Sequence, residues 1–156
     1  MRKYFKMLVL VIAVVLITGC TNNDKEIVKT CTSTTNDVAN GYKLESTYKI
    51  YAKGDIVEKV ETIETITSED ETILDYFEET LEDTYEATNE VYGGYTNEVE
   101  NENGKVVSKT TIDYTKMNME QYIKDNTVMK NYVNSDNEIL LEGIITIYES
   151  LGATCK

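Results

Sequence analysis

Asn103-Gly104 is the strongest constraint on how this chain folds. The pair is a preferred two-residue hairpin turn, because both residues tolerate the positive φ that such a turn demands. Centring a hairpin there sets Tyr95 opposite Ile112, Gly93 opposite Tyr114 and Val99 opposite Ser108 on one face. The other face then matches Glu98 with Lys109 and Thr96 with Thr111. One register produces an apolar-leaning face and a charge-matched face together, and a slip of one residue destroys both.

A second hairpin is expected upstream. Tyr42, Leu44, Tyr48 and Ile50 alternate with Lys43, Glu45, Thr47 and Lys49, which predicts a half-buried strand. Lys53-Gly54-Asp55 makes the turn, and residues 56–67 return. Their apolar spacing (Ile56, Val57, Val60, Ile63, Ile66) is untidy and also fits a helix, but the β-branched content favours strand. Ser68 and Glu71 form a capping box that opens a helix with Ile73, Leu74, Phe77, Leu81 and Tyr85 on one face and acids on the other. Gly93-Gly94 separates this helix from the next strand. A short helix is predicted over residues 118–126, with Met119, Tyr122 and Ile123 inward. Ser135 and Glu138 repeat the capping box before an apolar stripe running from Leu140 to Leu151, with Gly152 as its stop. Hairpins leave a face to cover and amphipathic helices supply the cover. The expected fold class is α+β: an antiparallel sheet from two hairpins covered on one face by helices, a ββαββαα two-layer sandwich.

The N-terminus carries an export signal. Arg2, Lys3 and Lys6 precede a run of mostly apolar residues at 7–18, a basic region followed by a signal-peptide core. This run is shorter than the roughly 20 residues of a transmembrane helix. It ends in Leu16-Ile17-Thr18-Gly19-Cys20, which reads as a bacterial lipobox. Cys20 is then the first mature residue and the lipidation site, carrying fatty acyl chains that hold the protein on the extracytoplasmic face of a cell membrane. The expected layout is a lipoprotein signal peptide at 1–19, a tether at 20–28 and a single α+β domain at 29–156. An ordinary secretory signal with an incidental cysteine is the bland alternative.

Cysteine parity fits export. With Cys20 acylated, Cys31 and Cys155 remain as an even pair. A disulfide between them closes nearly the whole domain, worth about 4 to 5 kcal/mol on a chain-entropy estimate. The alternative is two unpaired thiols. Removing residues 1–19 leaves 12 Lys and Arg against 28 Asp and Glu, so the net charge moves from −13 to −16. That disfavours nucleic acid, which requires basic patches.

Three segments carry a family resemblance: YAKGDIVEKVETIETIT, TIDYTKMNMEQ and the closing LLEGIITIYESLGATCK. They resemble the corresponding parts of small YehR-like bacterial lipoproteins, a domain family of unknown function. The resemblance implies a lipobox and a strand-pair, helix, strand-pair, helix layout over roughly residues 30–156. It brings no catalytic residues and no basis for the cysteine pair.

The available chemistry is narrow. The chain has no histidine, so Ser-His-Asp and Cys-His sites and His-ligated metals are out of reach. No cysteine is left as a nucleophile, and Gly93-Gly94 lacks the Lys-Ser/Thr of a phosphate loop. Neither an enzyme nor a cofactor is expected. Glu98, Glu100, Asn101, Glu102 and Asn103 crowd one hairpin end and raise the question of calcium. The EF-hand pattern fails there, with Val99 at the first ligand position and Thr110 at the last, and a solvated turn is the simpler reading. Eleven tyrosines in the mature chain mostly fall at inward positions. Tyr51 and Tyr92 fall on predicted outer strand faces and are the candidate ligand contacts. The expectation is a non-catalytic, membrane-anchored lipoprotein that binds an unknown extracytoplasmic ligand or envelope partner. The rival is a structural or signalling lipoprotein that acts through protein contacts alone.

Overall fold

A computed structural model describes residues 25–156. The expected signal peptide, Cys20 and the start of the expected tether lie outside the described residues. The rest of the expected tether joins the sheet, because strand β1 (Glu26–Asp37) begins at Glu26. It is followed by β2 (Tyr42–Lys53), β3 (Ile56–Ser68), helix α1 (Glu71–Tyr92), β4 (Tyr95–Glu102) and β5 (Lys105–Asp113). A 3-10 turn at Tyr114–Lys116, helix α2 (Met119–Asp125), a second 3-10 turn at Thr127–Asn131, helix α3 (Leu141–Ser150) and β6 (Thr154–Cys155) complete the order. Six strands form one open antiparallel sheet, β4-β5-β3-β2-β1-β6. The α+β class with an antiparallel sheet holds, but the ββαββαα order does not: three strands precede the first helix.

β1 escaped the periodicity argument because its inward positions are Ile27, Lys29, Cys31, Ser33 and Thr35, a mostly polar series on a side facing the helices. It is a strand because Thr, Val and Ile dominate it and β2 pairs with it over its full length. The untidy spacing in β3 has a local cause. Tyr51 pairs with Lys59 but Ala52 pairs with Val57, so Glu58 is an extra bulged residue. Val57 and Val60, three apart, therefore both reach the core.

All helices cover one face. Leu74, Phe77 and Leu81 of α1 pack on Ile66, Val106 and Leu44. Ile144, Leu141 and Met129 pack on Ile50, Ala52, Val57 and Val60 in a second, larger cluster. The opposite face lies open, with Val28 and Ile63 about half exposed on it.

The helix starts differ from expectation for the same reason. Asp70, not Ser68, caps α1 by accepting from the Thr72 N–H. The Ser68 hydroxyl instead donates to the Gly41 carbonyl and accepts from the Asp70 N–H, fastening the helix to the β1–β2 turn. Near α3, the Asn134 side chain, not Ser135, collects the N–H groups of Asp136 and Glu138. α3 then begins only at Leu141, with no side-chain cap, after Leu140 bridges to Ile56. Its end closes as a Schellman motif: the Ala153 N–H donates to Tyr148 and the Gly152 N–H to Glu149. Gly94 joins α1 to β4 at φ 77°, where a Cβ would lie 2.5 Å from Met117 Cγ and 2.6 Å from the Asp113 carbonyl oxygen.

Candidate functional site

Strand register arranges the covered face in rows. Leu44, Ile66 and Val106 form one apolar row, and Ile50, Val60 and Ile112 form another. Between them run two polar rows. The first is Ser33, Ser46, Glu64 and Ser108, and the second contains Tyr48, Thr62, Thr110 and Asn97. These rows separate the two apolar clusters. Polar groups in such a place cost stability unless they are hydrogen-bonded.

At the β4–β5 end they are. Asn97 Oδ1 accepts from Ser108 Oγ at 2.9 Å and from Thr110 Oγ1 at 2.8 Å. At the β2–β3 centre they are not. The Ser46 hydroxyl is 3% exposed and has no hydrogen-bond partner. Opposite it, half-buried Glu64 receives one long bond, from the Tyr85 hydroxyl at 3.5 Å. Burial pushes the Glu64 carboxyl above its ordinary range, and the nearby Tyr85 and Ser46 hydroxyls pull the other way without cancelling it.

One phenol reaches this carboxyl, that of Tyr85, and other tyrosines pack along the same face. Tyr48 and Tyr148 stack at 4.1 Å between centroids, with 18° between their planes. Tyr85 and Tyr95 lie 6.4 Å apart. Burial, and then the proximity of other phenols, raises the pKa of Tyr95, Tyr114 and Tyr148, and burial followed by the nearby Glu64 raises that of Tyr85. Burial likewise raises Tyr122. The arrangement offers a desolvated carboxyl, a free hydroxyl and aromatic faces in one band.

Most residues singled out from sequence lie elsewhere, but Cys31 adjoins the band as the register partner of Tyr48. Cys31 and Cys155 are register partners across β1 and β6, their sulfurs 1.96 Å apart as a disulfide. Tyr51 does point outward from β2, but it is engaged within the protein: its hydroxyl donates to Glu61 at 2.6 Å and Lys59 Nζ sits 4.1 Å above its ring. Tyr92 is on no strand face. It is the last residue of α1, since the helix runs further than expected, and it packs edge-on to Tyr122 and donates to Asp125 at 3.2 Å. The hairpin acids divide by strand alternation. Glu98, Glu100 and Glu102 point to the open face, while Asn101 reaches under α1 to Asp75 and Glu78. Among the described residues no group of three or more His, Cys, Asp or Glu side chains is placed to hold a metal ion.

The polar rows left one trace in the sequence. The apolar alternation in β2 skips Ser46, and that of β3 skips Thr62 and Glu64. Pairing β2 with β3 brings the gaps together.

Fold and band together define an open-faced α+β sandwich with a polar seam under its helices. No protein-family model and no curated protein sequence matches the chain. Among solved structures it is similar to the NMR structure of the E. coli YehR protein, with a TM-score of 0.55 and 20% identity over 85% of this chain and 91% of that one. It is also similar to the NMR structure of a protein from Streptococcus pneumoniae TIGR4, with a TM-score of 0.51 and 14% identity over 92% of both chains. The chain thus has a YehR-like fold, as the three sequence segments implied. At these identities the likeness shows the fold alone.

Proposed function

We propose that this chain is a lipid-anchored, extracytoplasmic binding domain that holds a ligand without transforming it. The observation that carries the binding reading is the Ser46–Glu64 pair, a buried hydroxyl with no partner facing a half-buried carboxyl with one long hydrogen bond. Native interiors rarely leave such groups unsatisfied, and a binding site is one reason to do so. The sequence supports the non-catalytic part, since the chain has no histidine and its two described cysteines face each other as a bridge. The location rests on the lipobox ending at Cys20, and a disulfide suits an oxidising compartment. No described helix is long and apolar enough to cross a membrane; attachment through the Cys20 lipid is proposed from the lipobox alone.

The open sheet face favours a second reading, action through protein contacts alone, because Val28 and Ile63 are exposed there beside charged side chains.

Intact mass of the membrane-extracted protein tests the anchor. The expected product lacks residues 1–19 and carries fatty chains; an unmodified full-length species in the cytosol overturns this reading. A thermal-shift screen of sugars, peptides and amines on the same material tests the binding. A compound that raises the melting point and perturbs Glu64 supports it, and a uniformly flat screen moves the assignment to the protein-contact reading.

A further inference from the structure

We infer that the open face of the sheet, over β1, β2 and β3, lies against the lipid headgroups of the membrane that anchors the chain, with α1 turned away from it. The inference rests on the Cys20 anchor proposed above and adds which side of the domain meets the bilayer.

The reach of the chain supplies the first argument. The Lys25 carbonyl accepts from the Gly54 N–H, and β1 starts at Glu26. Only residues 21–24 separate Cys20 from Lys25. However they are arranged, five Cα steps span at most about 18 Å. That is less than half the length of β1, whose 12 residues extend for roughly 40 Å. A domain on so short a lead keeps one of its surfaces at the bilayer. Val28, three residues past Lys25, already stands on the open face.

Charge selects the surface. From Cys20 onward the chain carries −16, and a bilayer containing anionic lipids repels acidic surface. α1, on the covered side, has eight acids and no base. The open side differs. Up to the bulge after Tyr51, the outward positions of β2 and β3 hold Lys43, Lys49 and Lys59 against two acids, Glu45 and Glu61, and the β1 positions opposite them are uncharged. Both acids are already paired, Glu45 with Lys43 and Glu61 with Lys59. Lys49 makes no ion pair among the described residues and lies 5.5 Å from the Tyr51 ring centre. The other acids of this face sit on β4 and β5, toward the far edge of the sheet.

The side chains also suit headgroup depth. Tyrosine and lysine keep an apolar body low and a polar tip in water, which places both at membrane interfaces. Val28 and Ile63, each about half exposed, add apolar area beside Tyr51 and Lys49.

The test uses the acylated full-length protein on vesicles of phosphatidylethanolamine and phosphatidylglycerol that carry a paramagnetic headgroup label. With Cys20 acylated and Cys31 bridged to Cys155, one introduced cysteine takes a fluorophore at a single position. Thr47→Cys marks the open face, Glu79→Cys marks α1 and Asp55→Cys marks the β2–β3 turn, all at exposed residues. Quenching should be several-fold stronger at Thr47→Cys than at Glu79→Cys, and comparable at Thr47→Cys and Asp55→Cys. Lys49→Glu makes the patch net negative and should pull the Thr47-to-Glu79 ratio toward one; its unfolding curve shows separately that it is folded. Equal quenching at Thr47→Cys and Glu79→Cys overturns the inference, whether the domain tumbles freely or stands on its Asp55 end. An unchanged ratio in Lys49→Glu overturns it as well. On an acylated protein those results leave the anchor standing and return the open face to protein contacts. A protein whose mass shows no fatty chain and that stays off the vesicles removes the anchor, and this inference with it.

Discussion

Replacing Glu64 by glutamine keeps the shape of the side chain and removes the charge that burial disfavours. Its folded pKa is raised, so the folded state holds this proton more tightly than the unfolded chain does. Below the ordinary value of 4.5 both states are protonated and the residue adds no penalty. As pH rises through the folded pKa the penalty grows to its full size. Glu64→Gln should therefore stabilise the domain by about 1 kcal/mol at neutral pH, the scale of a buried acceptor short of partners. The gain should vanish in acid, which urea unfolding at the two pH values measures. Gly143 makes the opposite point about local context. Glycine to alanine inside a helix normally stabilises by about 1 kcal/mol. A Cβ at Gly143 of α3, however, would lie 2.7 Å from Tyr132 Cβ and 3.2 Å from its Cα. Crowding of that kind costs roughly 1–3 kcal/mol, so Gly143→Ala should lower the thermal midpoint.

Among the elements, α1 carries the least self-sufficient sequence. Its eight acids have no basic neighbour on the helix, and like charges at i,i+4 repel. Its hold on the sheet comes from Leu74, Phe77 and Leu81, together with the Asp70 cap. Exposed Glu79 lies four residues from both Asp75 and Asp83. Glu79→Lys turns two repulsions into two attractions and should stabilise by about 0.5 kcal/mol at low ionic strength. Thermal unfolding with and without salt should show the gain shrinking as the charges are screened. The same scale explains what the sequence made legible. The Asn103-Gly104 turn carried its register through: Tyr95 pairs with Ile112, Val99 with Ser108, Glu98 with Lys109 and Thr96 with Thr111. Asn118 caps α2 through the Gln121 N–H, and Ile123 is buried as its spacing implied. Local turn and cap chemistry is written in adjacent residues. β1 was invisible because most of its inward side chains are polar, and the α3 start was misplaced because the residue before it, Leu140, is held by a bridge to Ile56. The seam was missed because Ser46 and Glu64 meet only after β2 and β3 pair.

For the molecule as a whole, the question is what closes an open sheet whose last strand is two residues long. β6 pairs with β1 only at Cys31–Cys155 and Thr32–Thr154, flanked by reciprocal bonds between Thr30 and Lys156. So short an edge strand would fray on its own. The bridge spans 124 residues of sequence. On the chain-entropy model its main effect is on the unfolded chain, worth about 4 to 5 kcal/mol for a loop of this length. Domains of this size are commonly stable by only about 5–15 kcal/mol, so the bridge is a large share of the total. Cys31→Ser with Cys155→Ser should lower the melting temperature by roughly 15 °C, as should reduction of the native protein. Both changes leave the Ser46–Glu64 seam in place, because β2, β3 and β5 hold it through long ladders that do not involve β6. Below its lowered midpoint the unbridged protein should keep its far-UV circular dichroism. Hydrogen exchange should quicken first at residues 153–156. If exchange instead quickens evenly across β2 and β3, the bridge is shaping the native sheet itself rather than restraining the unfolded chain.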